Sequence, residues 1–206
     1  RDDYKPDSIS GRTLQFNLKY AALDEEATIS VFKIADYKRA FANYPQYLEN
    51  RDSELLVLIN DGSALKSYGI KPPPHVTWMD AGELFYSKAK KIDFLGGRGI
   101  ITLTNISQEG NITIANSGLE YLFQGFTTDG QFFVQMDFPI KFKGLSDESE
   151  EFLSPDSPSF NSPAHEAAYL KYLLKTAERI DKAPPRDFQP SAYSIEEFIH
   201  RFEVKP

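Results

Sequence analysis

From Phe132 to Phe142 the apolar side chains fall at every second position: Phe132, Val134, Met136, Phe138, Ile140 and Phe142. The intervening set is Gln131, Gln135, Asp137 and Lys141, with Phe133 the exception. A period of two is the strand period, here with one buried face and one mostly wet face. The residues before it, LEYLFQGF at 119–126, lead into Thr-Thr-Asp-Gly. Asp129-Gly130 is a hairpin signal, because Gly accepts the positive φ that such a turn needs. Residues 119–142 are therefore expected to form a two-stranded antiparallel hairpin turning at Thr127–Gly130. A second hairpin is expected upstream: LFYSKAKKIDF as strand, GGRG at 96–99 as turn, and IITLTNI as the returning strand. ITIANS, at 112–117, reads as a short strand or extended piece. Near the start, Leu14, Phe16 and Leu18 alternate with polar residues, and ATISVFKI at 27–34 is β-branched. ALDEE between them is short enough for another hairpin.

Elsewhere the spacing is helical. ADYKRAFANY has Asp36 as N-cap and Tyr37, Ala40, Phe41 and Tyr44 on one side. SELLVLIND, closed by Asn60-Asp61-Gly62, is read as helix, so that residues 35–68 are mostly helical. KPPPH at 71–75 is a rigid extended connector. Ser162-Pro163 opens a later helix, with Ser at the N-cap and Pro at the first helical position. Its expected buried stripe is Tyr169, Tyr172, Leu173, Thr176 and Ile180, and Pro184-Pro185 stops it. A last helix is expected from Ser194, with Glu197 completing a capping box and Ile195, Phe198, Ile199 and Phe202 as its apolar face. Residues 1–12 are polar and read as a flexible N-terminal tail. Residues 145–161 are acidic and rich in Ser and Pro, and read as a long surface loop. The order of elements gives an α+β class: a mainly antiparallel sheet of successive hairpins with helices packed on it, in a single domain over 13–206.

Composition narrows the function classes. The 206 residues are 41% apolar and 14% aromatic, with 16 Phe and 11 Tyr, ample for a sizeable core. The net charge of −7 comes without any Lys/Arg run. Non-specific nucleic-acid binding and adhesion to an anionic membrane surface are disfavoured, since both need a basic face. Cys is absent, which removes disulfides, thiol catalysis, Fe–S clusters and Cys-based zinc sites. No apolar run approaches the roughly 18 residues that span a bilayer, so an integral membrane protein is not expected. The chain starts at Arg1-Asp2 without Met, which suggests a processed or truncated product: a cleaved secretion signal or a fragment.

No signature of catalysis stands out. His75, His165 and His200 show no metal-ligand spacing, and each is read as structural or solvated. His165, beside Glu166, is read as part of a solvent-exposed first helical turn. GGRG precedes a strand and lacks the Gly-Lys-Ser/Thr of a phosphate loop. Asp147, Glu148, Glu150, Glu151 and Asp156 crowd the acidic loop without the EF-hand pattern, and a solvated loop is preferred over a calcium site. No catalytic residue, cofactor or metal is therefore assigned. The dense aromatics carry the one binding expectation. Phe133 is expected on the wet face, as is one of the alternating sets Tyr121/Phe123 and Leu122/Phe126. Tyr121, Phe123 and Phe133 are thus candidate partner contacts, with covering by helices as the alternative.

The stretches ELFYSKAKKIDFLGGRGIITLTN and LEYLFQGFTTDGQFFVQMDFPI resemble a family of uncharacterised secreted bacterial proteins of cyanobacterial and Chloroflexi type. The family's hairpin reads YxFQGxTxDGxYYV. Here Tyr121 to Pro139 correspond to it, with Gln131-Phe132-Phe133 where Tyr-Tyr is usual. The resemblance covers roughly residues 28–206 and carries no activity with it. It implies an extracytoplasmic location: periplasmic, envelope-attached or secreted after signal removal. In outline the fold is similar to PsbP-like folds. The expected function is a non-catalytic extracytoplasmic domain, a protein-interaction or accessory subunit of an envelope or membrane-associated assembly. Its partner would be another protein or an envelope component. The alternative is a small-ligand-binding protein or hydrolase with a cleft between sheet and helices.

Overall fold

The computed structural model describes residues 14–19, 26–40, 51–77, 81–154 and 162–205. The expected tail at 1–12, the linker at 22–25, the helical reading of 41–50 and the loop residues 155–161 lie outside them. The architecture is α+β. Six antiparallel strands run in the order β1-β2-β6-β5-β4-β3. They are β1 (Leu14–Lys19), β2 (Glu26–Lys33), β3 (Gly82–Phe94), β4 (Gly97–Ser107), β5 (Leu119–Thr127) and β6 (Phe132–Pro139). The helices are α1 (Ile34–Ala40), α2 (Arg51–Asn60), α3 (Pro163–Lys182) and α4 (Ala192–Arg201). A two-stranded ribbon joins β7 (Lys141–Phe142) to β8 (Phe188–Gln189).

Three successive hairpins, β3-β4, β4-β5 and β5-β6, build the centre. The turn after β5 closes as its residues demand. Gly130 sits at φ +68, and the Asp129 side chain accepts from the Thr127 hydroxyl and the Gln131 amide. LEYLFQGF is β5, an inner strand buried without a break from Tyr121 to Phe126. At the other end Gly96 takes φ +86, and β4 begins at Gly97, so GGRG is a turn only at its first residue. ITIANS forms no strand; Ile112 makes one isolated bridge to Glu151.

The cross-strand register sorts the side chains into two faces. On the first face Ile29, Met136, Phe123 and Ile101 lie in one row, and Phe138, Tyr121 and Leu103 in the next. These pack under α3 and α4 through Tyr169, Leu173, Ala177, Ile180, Ile195 and Ile199. Two glycines make this layer possible. A Cβ at Gly99 or Gly125 would come within 2.5 Å and 2.6 Å of the Phe123 ring, so that ring lies across both. The second face clusters apolar residues at one end, where Ile100, Phe126 and Phe133 meet Leu55 and Ile59 of α2, and is mixed further along, where Leu122 lies between Thr102 and Asp137.

Three expectations are corrected by packing. His165 is 1% exposed, not in a solvated first turn, and its ring meets Phe152 edge-on at 5.7 Å. Helix α4 starts at Ala192 rather than after Ser194, with Ser191 in the cap position and no side-chain cap bond. Phe133 faces away from its alternating neighbours, yet it is buried, because α2 covers that end of the sheet. By contrast, the Ser162 cap forms as read, its side chain accepting from the His165 amide.

Candidate functional site

Tyr121, Phe123 and Phe133 are all buried, so none of them presents a ring to solvent. Phe123 stacks edge-on against Phe94, and Phe133 packs on Phe126 and Phe32. The Tyr121 hydroxyl donates to Glu196 Oε1 at 2.8 Å, while Glu196 Oε2 meets Lys90 Nζ at 2.7 Å. Burial, with the Glu196 charge beside it, pushes the Tyr121 phenol far above its usual range. This chain of three polar groups ties α4 to the sheet. The covering alternative is what the structure has for all three aromatics.

Two other places carry chemistry. The first is the polar half of the second sheet face. Residues 71–77, the Pro-rich connector extended by Val76 and Thr77, cross that face as a strap. Gln124 of β5 stitches the strap down: its Oε1 accepts from Val76 N at 2.9 Å and its Nε2 donates to Pro74 O at 3.3 Å. Thr77 donates its hydroxyl to Gln135 Oε1, and Gln135 Nε2 donates to both oxygens of Asp137 at 3.0 and 3.1 Å. His75 Nδ1 lies 2.7 Å from the Thr77 carbonyl. A carbonyl only accepts, so the proton is on Nδ1 and Nε2 carries a lone pair. That Nε2 is buried without a hydrogen-bond partner among the described residues. Desolvation holds His75 down at about 4, so the ring is neutral at ordinary pH.

Two carboxylates share this face. Burial pushes Glu83 up to about 7, against a bond from Thr104, and the Asp137 charge adds to the rise. Burial likewise pushes Asp137 up to about 6, against the bond from Gln135. Asp137 lies in the row of Leu122 and Thr102, whereas Glu83 pairs with Ile106, further along the sheet. The pair therefore shares a desolvated surface, not a proton.

The second place is a groove of about 630 Å³ at the β3 edge of the sheet. It is lined by Lys66, Tyr68, Gly69, Ile70, Lys71, Tyr86 and Leu174. Residues 67–69 lie along β3: Gly69 exchanges both backbone bonds with Tyr86, and Ser67 O accepts from Ala89 N. The opposite wall is α3. Ser67 Oγ donates to Asp181 at 3.1 Å, and Lys88 N and Nζ both reach the same helix end. Ile70 is 38% and Leu174 45% exposed. Leu170, one turn earlier on α3, is exposed too. Two further spaces adjoin the strap. One, of about 490 Å³, is lined by Pro72, Pro73, Pro74, His75 and Arg51. The other is enclosed and apolar, between α1, α2 and Phe133, and at about 20 Å³ holds no more than one water.

Of these residues the sequence had marked His75, as structural or solvated, and KPPPH, as a connector, and neither as part of a site. The available signal was on α3, where Leu170 and Leu174 add an apolar pair beside the buried stripe and widen its arc past what a core helix needs. Among the described residues no three His, Asp or Glu side chains converge as a metal site. Compared with known proteins, the chain matches no family model, no curated protein and no solved structure.

Proposed function

We propose that the protein is a non-catalytic extracytoplasmic binding domain, a protein-interaction or accessory subunit of an envelope or membrane-associated assembly. The observation that carries this reading is the groove at the β3 edge. Ile70 and Leu174 keep large apolar side chains in water there. Exposed apolar side chains gathered in one concavity have a cost that a partner's surface removes. The location follows from the family resemblance of Tyr121–Pro139. Among the described residues no helix is long and apolar enough to cross a membrane.

Affinity capture from the native source, with the chain as bait and mass spectrometry as readout, tests this. A partner held at physiological salt by the native chain and lost with Leu174→Glu supports it. Recovery of no stable partner sinks it.

One observation favours the alternative, a small-ligand site or hydrolase. Carboxylates whose pKa values rise toward neutrality are suited to proton transfer, and Glu83 and Asp137 do so. Hydrolysis of ester or glycoside probes that disappears in both Glu83→Gln and Asp137→Asn would transfer the assignment to that face.

A further inference from the structure

We propose that the outer edge of residues 66–71 is a strand-addition site for an extended acidic segment of a partner protein, carrying apolar side chains at alternate positions. This deepens the reading of the protein as a binding domain and rests on it.

The backbone states the first requirement. In an antiparallel ladder a residue either exchanges both bonds with its neighbour or turns both groups away. Gly69 exchanges both with Tyr86, at 2.9 and 2.8 Å, and Ser67 O accepts from Ala89 N at 2.8 Å. Tyr68 and Ile70 therefore turn their N–H and C=O away from β3. Neither makes a backbone bond among the described residues. The row of open donors and acceptors is what an incoming extended peptide satisfies, and a compact small molecule does not. The segment is held close to the sheet because residue 69 is glycine: a Cβ there would come 2.7 Å from the Tyr86 ring.

The side chains state the second requirement. Tyr68, Ile70 and Leu174 give the groove apolar walls, and Lys66 and Lys71 stand at its two ends. Neither lysine has an ion-pair partner among the described residues, nor do the exposed Lys171 and Lys175 on α3. In a chain of net charge −7, the two lysines that line this groove, Lys66 and Lys71, select an acidic partner and steer its approach. Alternation in an added strand then separates the two contacts, with apolar residues toward Leu174 and carboxylates toward the lysines.

The test uses the full chain. A displayed library of peptides of about ten residues, with Asp or Glu at alternate positions and apolar residues randomised between them, is sorted against it. The expected result is enrichment over the same library with Lys in the acidic positions. The best peptide should lose roughly tenfold in affinity with Lys66→Glu/Lys71→Glu, and as much with Leu174→Glu. N-methylation of one alternating set of its amides should abolish binding, and of the other set should not. All substituted residues are exposed, so unchanged circular dichroism confirms that the variants fold. No enrichment, or an affinity indifferent to these changes, overturns the proposal. So does capture of phosphatidylglycerol vesicles through the same lysines with no peptide selected. A native partner that still binds Leu174→Glu sinks this site while leaving the binding-domain reading standing.

Discussion

The two faces of the sheet use the same strands and reach opposite solutions. The first face is sealed by α3 and α4 with hydrocarbon: Ile29, Met136, Phe123 and Ile101 in one row, Phe138, Tyr121 and Leu103 in the next. Among the described residues the second carries the short helices α1 and α2 over Phe126 and Phe133. Its remaining area is covered by a strap without regular structure, held by glutamine and threonine side chains. A helix satisfies its own backbone and offers only side chains to the sheet. A Pro-rich strap leaves carbonyls and amides to be answered, so the sheet beneath it must be polar. Polar strand residues are then desolvated, and Glu83, Asp137 and His75 shift toward their neutral forms.

If the contrast is right, the largest effect belongs to the sealed face. Phe123→Ala removes a fully buried ring that also lies across Gly99 and Gly125. It should cost about 3–5 kcal/mol, read by urea or thermal unfolding. A cost under about 1 kcal/mol would mean that the first face is not the main core.

The second face should instead show itself in pH. Glu83 and Asp137 bind protons more tightly folded than unfolded. Their contribution is fully present below the ordinary carboxylate range and is lost as pH rises to about 7 and about 6. His75 runs the other way: its contribution is present above its ordinary value of 6.5 and is lost as pH falls through about 4. Between these limits the two trends oppose each other in the native chain. Glu83→Gln removes one carboxyl's share of the falling trend and leaves that of Asp137. Its stability relative to the native chain should therefore rise from about pH 4.5 to about pH 7, by on the order of 2 kcal/mol. Parallel stability curves for the two proteins would contradict the desolvated placement of Glu83.

Cutting the strap's stitch should cost less. Gln124→Ala leaves Val76 N and Pro74 O without their partner, for a loss of about 1–2 kcal/mol and faster amide exchange at Val76. Exchange at Val76 unchanged by the substitution would show that the strap is held elsewhere. The smallest effect lies on neither face. Lys182 and Glu178 form an exposed i, i+4 pair at the end of α3, and Glu178→Ala should change stability by less than about 0.5 kcal/mol.

Strand period and turn chemistry are local, and they were legible without a structure. Phe132 to Pro139, Asp129-Gly130 and Ser162-Pro163 carry their own instructions for pairing and capping, and the α+β class follows from their order; the expected hairpin does not reach residue 142, because Lys141 and Phe142 pair with β8 instead. The rest depends on what is laid over each element. Phe133 breaks the alternation, and only the position of α2 makes it core rather than surface. Gly99 reads as the end of a turn and Gly125 as one more strand residue until the ring of Phe123 is seen to lie across them. His165 looks solvated beside Glu166 until Phe152 closes on it. The groove joins residues 66–71 to Leu174 across more than a hundred positions of chain, in a pattern that no local window contains. Periodicity thus determined which elements form and which side of each is apolar. Burial, and with it the raised pKa values of Glu83 and Asp137 and the exposure of Leu174, was decided by tertiary packing, because desolvation depends on neighbours that are distant in sequence.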